Sequence, residues 1–348
     1  MLRLIVTGGA GFIGSALVRH LVGTGLARVC VLDALTYAGH LSSLRDVEGN
    51  ELYSFAKLDI CDREGVSALF REFRPDGVMH LAAESHVDRS IADPLCFVRT
   101  NVLGTANLLE CATDYWRGLP EEKQRAFRFL QVSTDEVYGS LKSGDAPFRE
   151  ESPYAPRSPY SASKAAGDHL AEAWGNTYGL SILLSHCTNN YGAYQFPEKL
   201  IPRMTLQALS GRALPVYGTG ENIRDWLSVE DHVEALWRVY NGGVPGEVYN
   251  IGGECERTNL EVVRGVCRVL DELRPRASGR HYEELICLAP DRPGHDLRYA
   301  MDIGKIRREL GWSPRVTFEE GLRGTVRWYL ENDWWWRPFV EEAVRPVR

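Results

Sequence analysis

A glycine-rich turn constrains this chain more than any other feature. Thr7-Gly8-Gly9-Ala10-Gly11-Phe12-Ile13-Gly14 follows a short apolar run, Leu2–Val6, and opens a stretch with helical periodicity, Phe12–Val22. Gly8, Gly11 and Gly14 recur at every third position. In a strand–turn–helix unit the first glycine permits the sharp turn. The second lets a pyrophosphate approach the backbone, and the third lets helix and strand pack closely. The helix N-terminus, at Phe12 and Ile13, then offers N–H groups and the positive end of the helix dipole to phosphate. Alone, such a motif is as often an ordinary turn; its place between strand and helix favours the binding reading. Asp33, nineteen residues past Gly14, ends the next apolar run, Val29–Leu32. A carboxylate there accepts hydrogen bonds from ribose hydroxyls and repels a 2′-phosphate, which selects NAD over NADP. Asp59-Ile60, after a third strand, is placed to border the adenine, although that pair alone reads equally as a loop.

Strand-like and helix-like segments alternate through the first half. Strands are expected at Leu2–Val6, Val29–Leu32, Val78–Leu81 and Phe127–Val132, and helices at Phe12–Val22, Val102–Ala112 and Pro159–Thr177. Alternation of this kind implies βαβ units with right-handed crossovers, hence an α/β fold with a Rossmann-type, doubly wound parallel sheet. After about Leu184 segments shorten and turn residues multiply, which predicts a smaller α/β C-terminal substrate-binding domain. The expected division is 1–185, also receiving part of 222–245, and 186–348, mainly the substrate domain and discontinuous. Within the latter, Val248–Ile251 reads as a strand and Asn259–Leu273 as a helix. Trp334-Trp335-Trp336 reads as a docked C-terminal segment rather than an aromatic contact site.

Composition removes several classes of function. The chain has 348 residues, 44% of them hydrophobic, and a net charge of −7 with no extended basic block, so nucleic acid is not the expected partner. No apolar run approaches the roughly 18 residues of a membrane span. The first apolar run is too short for a signal peptide and is interrupted by glycines. Eight cysteines, at 30, 61, 96, 111, 187, 255, 267 and 287, form neither a C-x-x-C pair nor a cluster with zinc spacing. Reduced thiols, no metal and a cytoplasmic location are the expectation.

Two further segments carry chemistry. Ser158-Pro159-Tyr160-Ser161-Ala162-Ser163-Lys164 has a good N-cap, a proline at the first helical position, and Tyr160 and Lys164 four apart on one helical face. The ammonium and the helix N-terminus are expected to lower the tyrosine pKa, so that a phenolate takes a proton from a hydroxyl as hydride leaves its carbon. Ser133-Thr134-Asp135-Glu136 follows the strand around Phe129–Val132, at the sheet edge where ligands bind in open α/β folds. Thr134 can bond a reacting hydroxyl, and two adjacent carboxyls can divide acid and base roles if their environments separate their pKa values. Read singly, these are a surface pair and a polar loop. Beside an NAD turn they read as a site.

The constellation resembles the extended short-chain dehydrogenase/reductase superfamily, and within it the nucleoside-diphosphate-glucose 4,6-dehydratases, most closely those acting on dTDP-glucose. The likeness covers nearly the whole chain. It is carried by TGGAGFIGS at 7–15, LDALTYAG at 32–39, HLAAESHVDRSI at 80–91, TNVLGT at 100–105, VSTDEVYGS at 132–140 and SPYSASKA at 158–165. It continues through NNYGAYQFPEKLIP at 189–202, IRDW at 223–226 and DRPGHDLRY at 291–299. The resemblance implies tightly bound NAD, regenerated each turnover. It implies oxidation at C4 with Tyr160 as base, removal of the C5 proton by Glu136, and protonation of the departing C6 hydroxyl by Asp135. Hydride then returns to C6. Thr134 would orient the C4 oxygen, and Lys164 would hold the nicotinamide ribose and tune Tyr160. Ala82, Ala83 and Thr100 would contact NAD, and Glu84 and Ser85 would line the sugar pocket. Asn189, Lys199, Leu200, Pro215, Tyr217, Arg224, Asn259, Arg292 and His295 would bind the sugar nucleotide, with Arg224 and Arg292 on its diphosphate. The resemblance also implies a homodimer paired through helices 95–116 and 159–177. His40, Ala193 and Ser228 depart from the family pattern, which touches base preference and pocket shape but none of the reacting groups. The rival readings are an NAD-dependent sugar-nucleotide 4-epimerase, which has no need of the Asp135–Glu136 pair, a dehydratase acting on UDP-glucose, and a non-catalytic NAD sensor.

Overall fold

The computed structural model describes residues 1–291 and 294–339. The first half runs β1 (Leu2–Thr7), α1 (Phe12–Gly23), β2 (Ala27–Asp33), β3 (Tyr53–Lys57), α2 (Arg63–Phe73), β4 (Gly77–His80), α3 (Val87–Ala92), α4 (Pro94–Phe97), α5 (Thr105–Arg117), α6 (Glu121–Ala126), β5 (Arg128–Thr134), α7 (Pro159–Tyr178) and β6 (Ile182–Cys187). The second half runs β7 (Asn189–Tyr191), α8 (Leu200–Leu209), β8 (Leu214–Tyr217), β9 (Ile223–Ser228), α9 (Val229–Gly242), β10 (Val248–Ile251), β11 (Glu256–Thr258), α10 (Asn259–Leu273), β12 (Ile286–Ala289), α11 (Gly304–Leu310), α12 (Phe318–Glu331) and α13 (Asp333–Trp336).

Seven parallel strands form the main sheet in the order β10-β6-β5-β4-β1-β2-β3. Its strands are buried on both faces, which is why they read as nearly continuous apolar runs. The pleat sends Leu4 and Val6 into a core with Leu17, Val18, Leu21 and, from α9, Val233, Leu236 and Val239. Ile5 points the other way, into a core with Val66, Phe70, Leu108, Leu109 and Phe129. Strand order reverses between β1 and β4, and in doubly wound sheets ligands bind beyond the carboxyl ends at such a switch point.

Two small sheets, β11-β9-β7 and β12-β8, lie beyond that edge. They share a third core with α8, α10 and α12, built from Ile201, Met204, Val216, Trp226, Val262, Val266 and Leu322. Trp335 is buried against Tyr194 and Tyr329, as a docked tail requires.

Val102–Ala112 was expected as one regular helix. Instead Val98–Gly104 is π-helical and α5 begins at Thr105. The wider turn is held by polar contacts that a local pattern does not encode. Asn101 Oδ1 accepts from Glu84 N at 2.9 Å, and its Nδ2 donates to Ser163 Oγ at 2.9 Å. Such π-turns often mark functional sites.

Candidate active site

The glycine turn does three different jobs. Gly8 has a positive φ of 68°, and an added Cβ would lie 2.6 Å from Ala82 N. A Cβ on Gly14 would come within 2.1 Å of Gly8 O. Gly11 differs: a Cβ there meets only Gly8 O, at 3.3 Å. What its missing side chain keeps open is a cavity of ≈ 340 Å³ lined by Gly8, Gly11, Phe12, Ile13 and Gly14. Gly11 is also the N-cap of α1 and supplies no side-chain cap, so the first-turn N–H groups face that space.

Asp33 lines the same cavity. Its carboxylate accepts from Ala10 N at 2.9 Å and Leu35 N at 2.8 Å. Burial pushes its pKa up, and the two backbone bonds oppose that. Asp59, Ile60, Ala82, Ala83 and Thr100 complete this wall. Thr7 Oγ1 accepts from Leu81 N at 3.2 Å and Ala82 N at 3.1 Å, which presses the 81–83 backbone against Gly8. An open phosphate-sized cradle, an uncapped helix N-terminus and a carboxylate at the end of β2 fit a dinucleotide with free ribose hydroxyls.

The candidate reacting groups Thr134, Asp135, Glu136, Tyr160 and Lys164 all line the same cavity. A capping box starts α7: Ser158 Oγ accepts from Ser161 N at 3.0 Å, with Pro159 at the first helical position. That start aims Tyr160 and Lys164 at the end of β5. Lys164 Nζ is buried and donates to Val132 O at 2.8 Å. Burial lowers its pKa, and the nearby Asp168 carboxylate opposes this. The expected lowering of the Tyr160 pKa is not the direction found. Burial first, then the Glu136 charge, push it well above the usual tyrosine range, while the Thr134 hydroxyl pulls the other way. Lys164 is committed to β5, and burial of the phenol, with the facing acids adding to it, sets the direction.

Asp135 and Glu136 sit in different surroundings despite being neighbours. Asp135 is buried, with its Oδ2 unpaired among the described residues and its Oδ1 accepting from Thr134 Oγ1 at 3.2 Å. Burial, then the Glu136 charge, drive the Asp135 pKa well above the carboxylate range, and the Arg224 guanidinium offsets part of this. Burial and the Glu136 charge thus both shift Asp135 toward its protonated form. Glu136 is half-buried at the cavity. Adjacent carboxyls in such unlike surroundings can divide acid and base roles.

Glu84, Ser85, Asn189 and Lys199 line this cavity too. Leu200 starts α8 directly after Lys199. The remaining substrate candidates gather at the rim of the smaller sheets, outside the cavity lining. Pro215 and Tyr217 lie on β8, Asn259 opens α10, and His295 packs edge-on to Tyr217 at 6.5 Å and hydrogen-bonds Asp291. Arg224, on β9, is buried with its guanidinium 4.4 Å from the Tyr299 ring and donates to Asp296 O at 3.1 Å. Arg292 lies outside the described residues. Sequence reasoning did not single out Tyr37, Phe196, Glu198 or Cys187, which also line the cavity. Tyr37 donates to Glu198 Oε1 at 2.9 Å across 161 positions. Both stand in quoted motifs, but only their meeting in space marks them.

Fold and site together define a short-chain dehydrogenase/reductase, with a Rossmann sheet and a Tyr-x-x-x-Lys pair at its carboxyl edge. The family model described as GDP-mannose 4,6 dehydratase matches residues 5–325. The dTDP-glucose 4,6-dehydratase of Neisseria meningitidis serogroup B is 56% identical over 350 residues, covering 100% of this chain and 99% of that protein. A solved dTDP-glucose 4,6-dehydratase of Streptomyces venezuelae, with NAD bound, is 46% identical with a TM-score of 0.87, covering 97% of this chain and 99% of that one. A UDP-glucose 4-epimerase of Thermus thermophilus, solved with NAD, is 32% identical with a TM-score of 0.82 over 95% of this chain and 100% of that one. The chain belongs to the dTDP-glucose 4,6-dehydratase family.

Proposed function

We propose that this protein is a hydro-lyase that converts dTDP-glucose to dTDP-4-keto-6-deoxyglucose with tightly bound NAD. The observation that carries the reading is the buried Asp135, whose pKa is pushed up by burial, beside the more exposed Glu136, in one cavity with Tyr160 and Lys164. Hydride transfer alone, as an epimerase needs, has no use for that pair. Gly8, Gly11, Gly14 and the N–H groups of Phe12 and Ile13 would hold the pyrophosphate. Asp33 would hold the adenosine ribose, Asp59 and Ile60 would border the adenine, and Ala82, Ala83 and Thr100 would contact the rest. Bound NAD supplies a hydride acceptor that becomes a hydride donor later in the same turnover. In the NAD-loaded enzyme the buried Tyr160 phenol would ionise more readily, favoured by the positive charge of the oxidised cofactor. The phenolate, with Thr134 orienting the C4 oxygen, would take the C4 hydroxyl proton as that carbon is oxidised to a ketone. The ketone acidifies C5–H, and Glu136 takes that proton. Asp135 gives its proton to the C6 hydroxyl as the C6–O bond breaks, and water leaves. A hydride to C6 and a proton to C5 complete the product, so the net change is loss of one water.

Glu84, Ser85, Asn189, Lys199 and Leu200 would surround the hexose. Pro215, Tyr217, Arg224, Asn259 and His295 would reach the nucleotide end. In this reading residues 1–185 with α9 and β10, which the main sheet and its core include, form the NAD-binding domain. The rest of 186–348 is mainly the discontinuous substrate domain. The expected extra piece, part of 222–245, therefore extends to β10. We infer a homodimer as well. Leu95 and Leu103, 75% and 61% exposed, stand with exposed Ile91 and Val98 along the successive helical segments α3, α4 and 98–104, and a second copy would cover them. A cytoplasmic location is supported by eight cysteines that are all unpaired.

The test is turnover of dTDP-glucose deuterated at C4. A 4-keto-6-deoxy product carrying deuterium at C6 supports the proposal. A 4-epimer that has lost no water overturns it, and faster turnover of UDP-glucose replaces the assigned base. Leu103→Glu should convert a dimer to monomers on gel filtration; a wild-type monomer removes the dimer.

A further inference from the structure

A second buried charge stands one turn beyond Lys164 on α7. Asp168 is fully buried, and side chains from three segments converge on it. From β5, Ser133 Oγ donates to Oδ2 at 2.6 Å and Gln131 Nε2 to Oδ1 at 3.4 Å. Tyr154, in the segment before α7, donates to Oδ2 at 3.3 Å. From β6, His186 Nε2 lies 3.3 Å from Oδ2. A carboxylate this deep persists where hydrogen bonds and an opposite charge replace its lost hydration. Lys164 is the buried cation on the same helix face, four positions away.

The network also grips both ends of the reacting segment. Ser133 directly precedes Thr134-Asp135-Glu136. Tyr138, two residues after Glu136, has its hydroxyl 2.8 Å from His186 Nδ1 and donates to Asn250 Oδ1 at 3.0 Å. Lys164 itself donates to Val132 O, one residue before Ser133. Thus α7, β5, β6 and β10 are bolted together around the three side chains that must meet Tyr160.

We propose that Asp168 is a positioning residue: its carboxylate ties the Lys164 turn of α7 to the strand carrying Thr134, Asp135 and Glu136, and places a buried negative charge one helical turn from the Lys164 side chain. The inference rests on the reading that Tyr160 and Lys164 serve the hydride chemistry. The titratable groups around Lys164 are Tyr160 and Asp168 on α7, His80 on β4 and Cys187 on β6. Around Asp168 they are His186, Tyr154, Tyr138 and Lys164. Of all these, Asp168 opposes most strongly the loss of the Lys164 proton that burial favours.

Asp168→Asn keeps the size and removes the charge. In the NAD-loaded enzyme it should move the alkaline limb of the kcat profile down by about one pH unit. It should cut kcat by roughly tenfold while KM for dTDP-glucose holds, the signature of a lost positioning contact. Tyr154→Phe removes the hydroxyl that meets both Asp168 Oδ2 and His186 Nε2 but no charge, and should leave the limb in place. A second readout is independent of turnover: the 15Nζ resonance of Lys164, assigned by its loss in Lys164→Met, should titrate at lower pH in Asp168→Asn. An unmoved limb and an unmoved Nζ midpoint overturn the proposal. If the wild type makes no keto product, the catalytic reading fails, and the Nζ titration still decides the counter-charge. If Asp168→Asn does not fold, Ser133→Ala reads the same bolt: kcat should fall with KM held, and an unchanged kcat overturns the positioning role.

Discussion

Trp335 and Ser43 lie 292 positions apart, and the indole Nε1 donates to Ser43 Oγ at 3.1 Å. The bond fastens α13 to the segment after β2. Trp335 is buried and packs edge-on to Tyr194 at 5.5 Å and against Trp328 at 5.3 Å. Phe339 stacks on His40 at 3.9 Å, and both rings meet Phe196, at 5.8 and 5.5 Å. Gly39 and Phe196 both line the dinucleotide cavity. The end of the described chain therefore braces the adenosine side of the site from behind.

Trp335→Ala should cost about 3 kcal/mol, at the low end for truncating a buried aromatic because the segment is terminal. It should also speed the loss of bound NAD, since the 36–40 loop loses its backing. Urea unfolding and the rate at which gel-filtered enzyme loses nicotinamide absorbance check the two halves. An unchanged urea midpoint would show that the tail is not fastened as described.

Gly11→Ala and Gly14→Ala should fail differently. At Gly14 a methyl collides with the Gly8 carbonyl, backbone against backbone, so the protein should fold poorly or melt several degrees lower. At Gly11 the methyl enters the cavity with one contact at 3.3 Å. That variant should fold normally, within about 1 kcal/mol of wild type, yet purify with little NAD. Thermal melts and the nicotinamide content of purified protein separate the cases. Full NAD content in Gly11→Ala would remove that residue from the phosphate cradle.

Local signals made this part of the site readable. The glycine turn, Asp33, the Tyr160–Lys164 pair and the 133–136 segment each lie within one strand–turn–helix unit, and the switch-point rule brings such units to one edge. All of them line one cavity. Contacts between distant segments were not readable. The Asp168–His186–Tyr138 network and the Tyr37–Glu198 bond join residues from different units, with no periodicity to announce them. The π-turn before α5 escaped for the same reason, since its cause is Asn101 reaching Glu84 and Ser163. The direction of the Tyr160 pKa was misjudged because helix position and charge spacing are visible in sequence, whereas burial and the facing Glu136 are not.

Glu136→Gln and Asp135→Asn should divide the reaction. Glu136→Gln removes the proposed base for C5 and should lower kcat by roughly 10²–10⁴-fold, with NAD still bound. Because Tyr160 and Lys164 are intact, reduced nicotinamide should accumulate after dTDP-glucose is added. Asp135→Asn should lose dehydration to a similar degree. It should also gain thermal stability as pH rises. The folded-state pKa of Asp135 is raised above its unfolded value, so its contribution to stability is present at low pH and is lost as pH climbs through the raised value. Asparagine carries no such loss. Stopped-flow absorbance and melts from pH 5 to 8 are the measurements. Near-normal turnover in Glu136→Gln removes it as the base.

Two buried histidines should make the fold acid-sensitive. Burial pushes His80 and His232 down to about 3, with the Lys164 charge adding to the effect at His80. His80 bridges Thr7 Oγ1 at 2.6 Å and Thr105 Oγ1 at 3.0 Å, and His232 Nδ1 meets Asn190 Oδ1 at 2.8 Å. Both are neutral in the folded protein near pH 5, whereas the unfolded chain binds protons there. Their stabilisation is therefore complete above the unfolded value of 6.5 and is lost as pH falls toward about 3. Each contributes a slope of roughly 1.4 kcal/mol per pH unit in that window. The raised carboxylates Asp135, Asp225 and Glu198 act with the opposite sign, so the wild-type curve is a sum of both kinds of group. A difference measurement isolates the histidine part. His232→Gln should flatten the fall in unfolding free energy between pH 6.5 and 4.5 by about 1.4 kcal/mol per unit, whatever its stability at pH 8. Parallel curves for wild type and variant would mean that His232 titrates alike in both states.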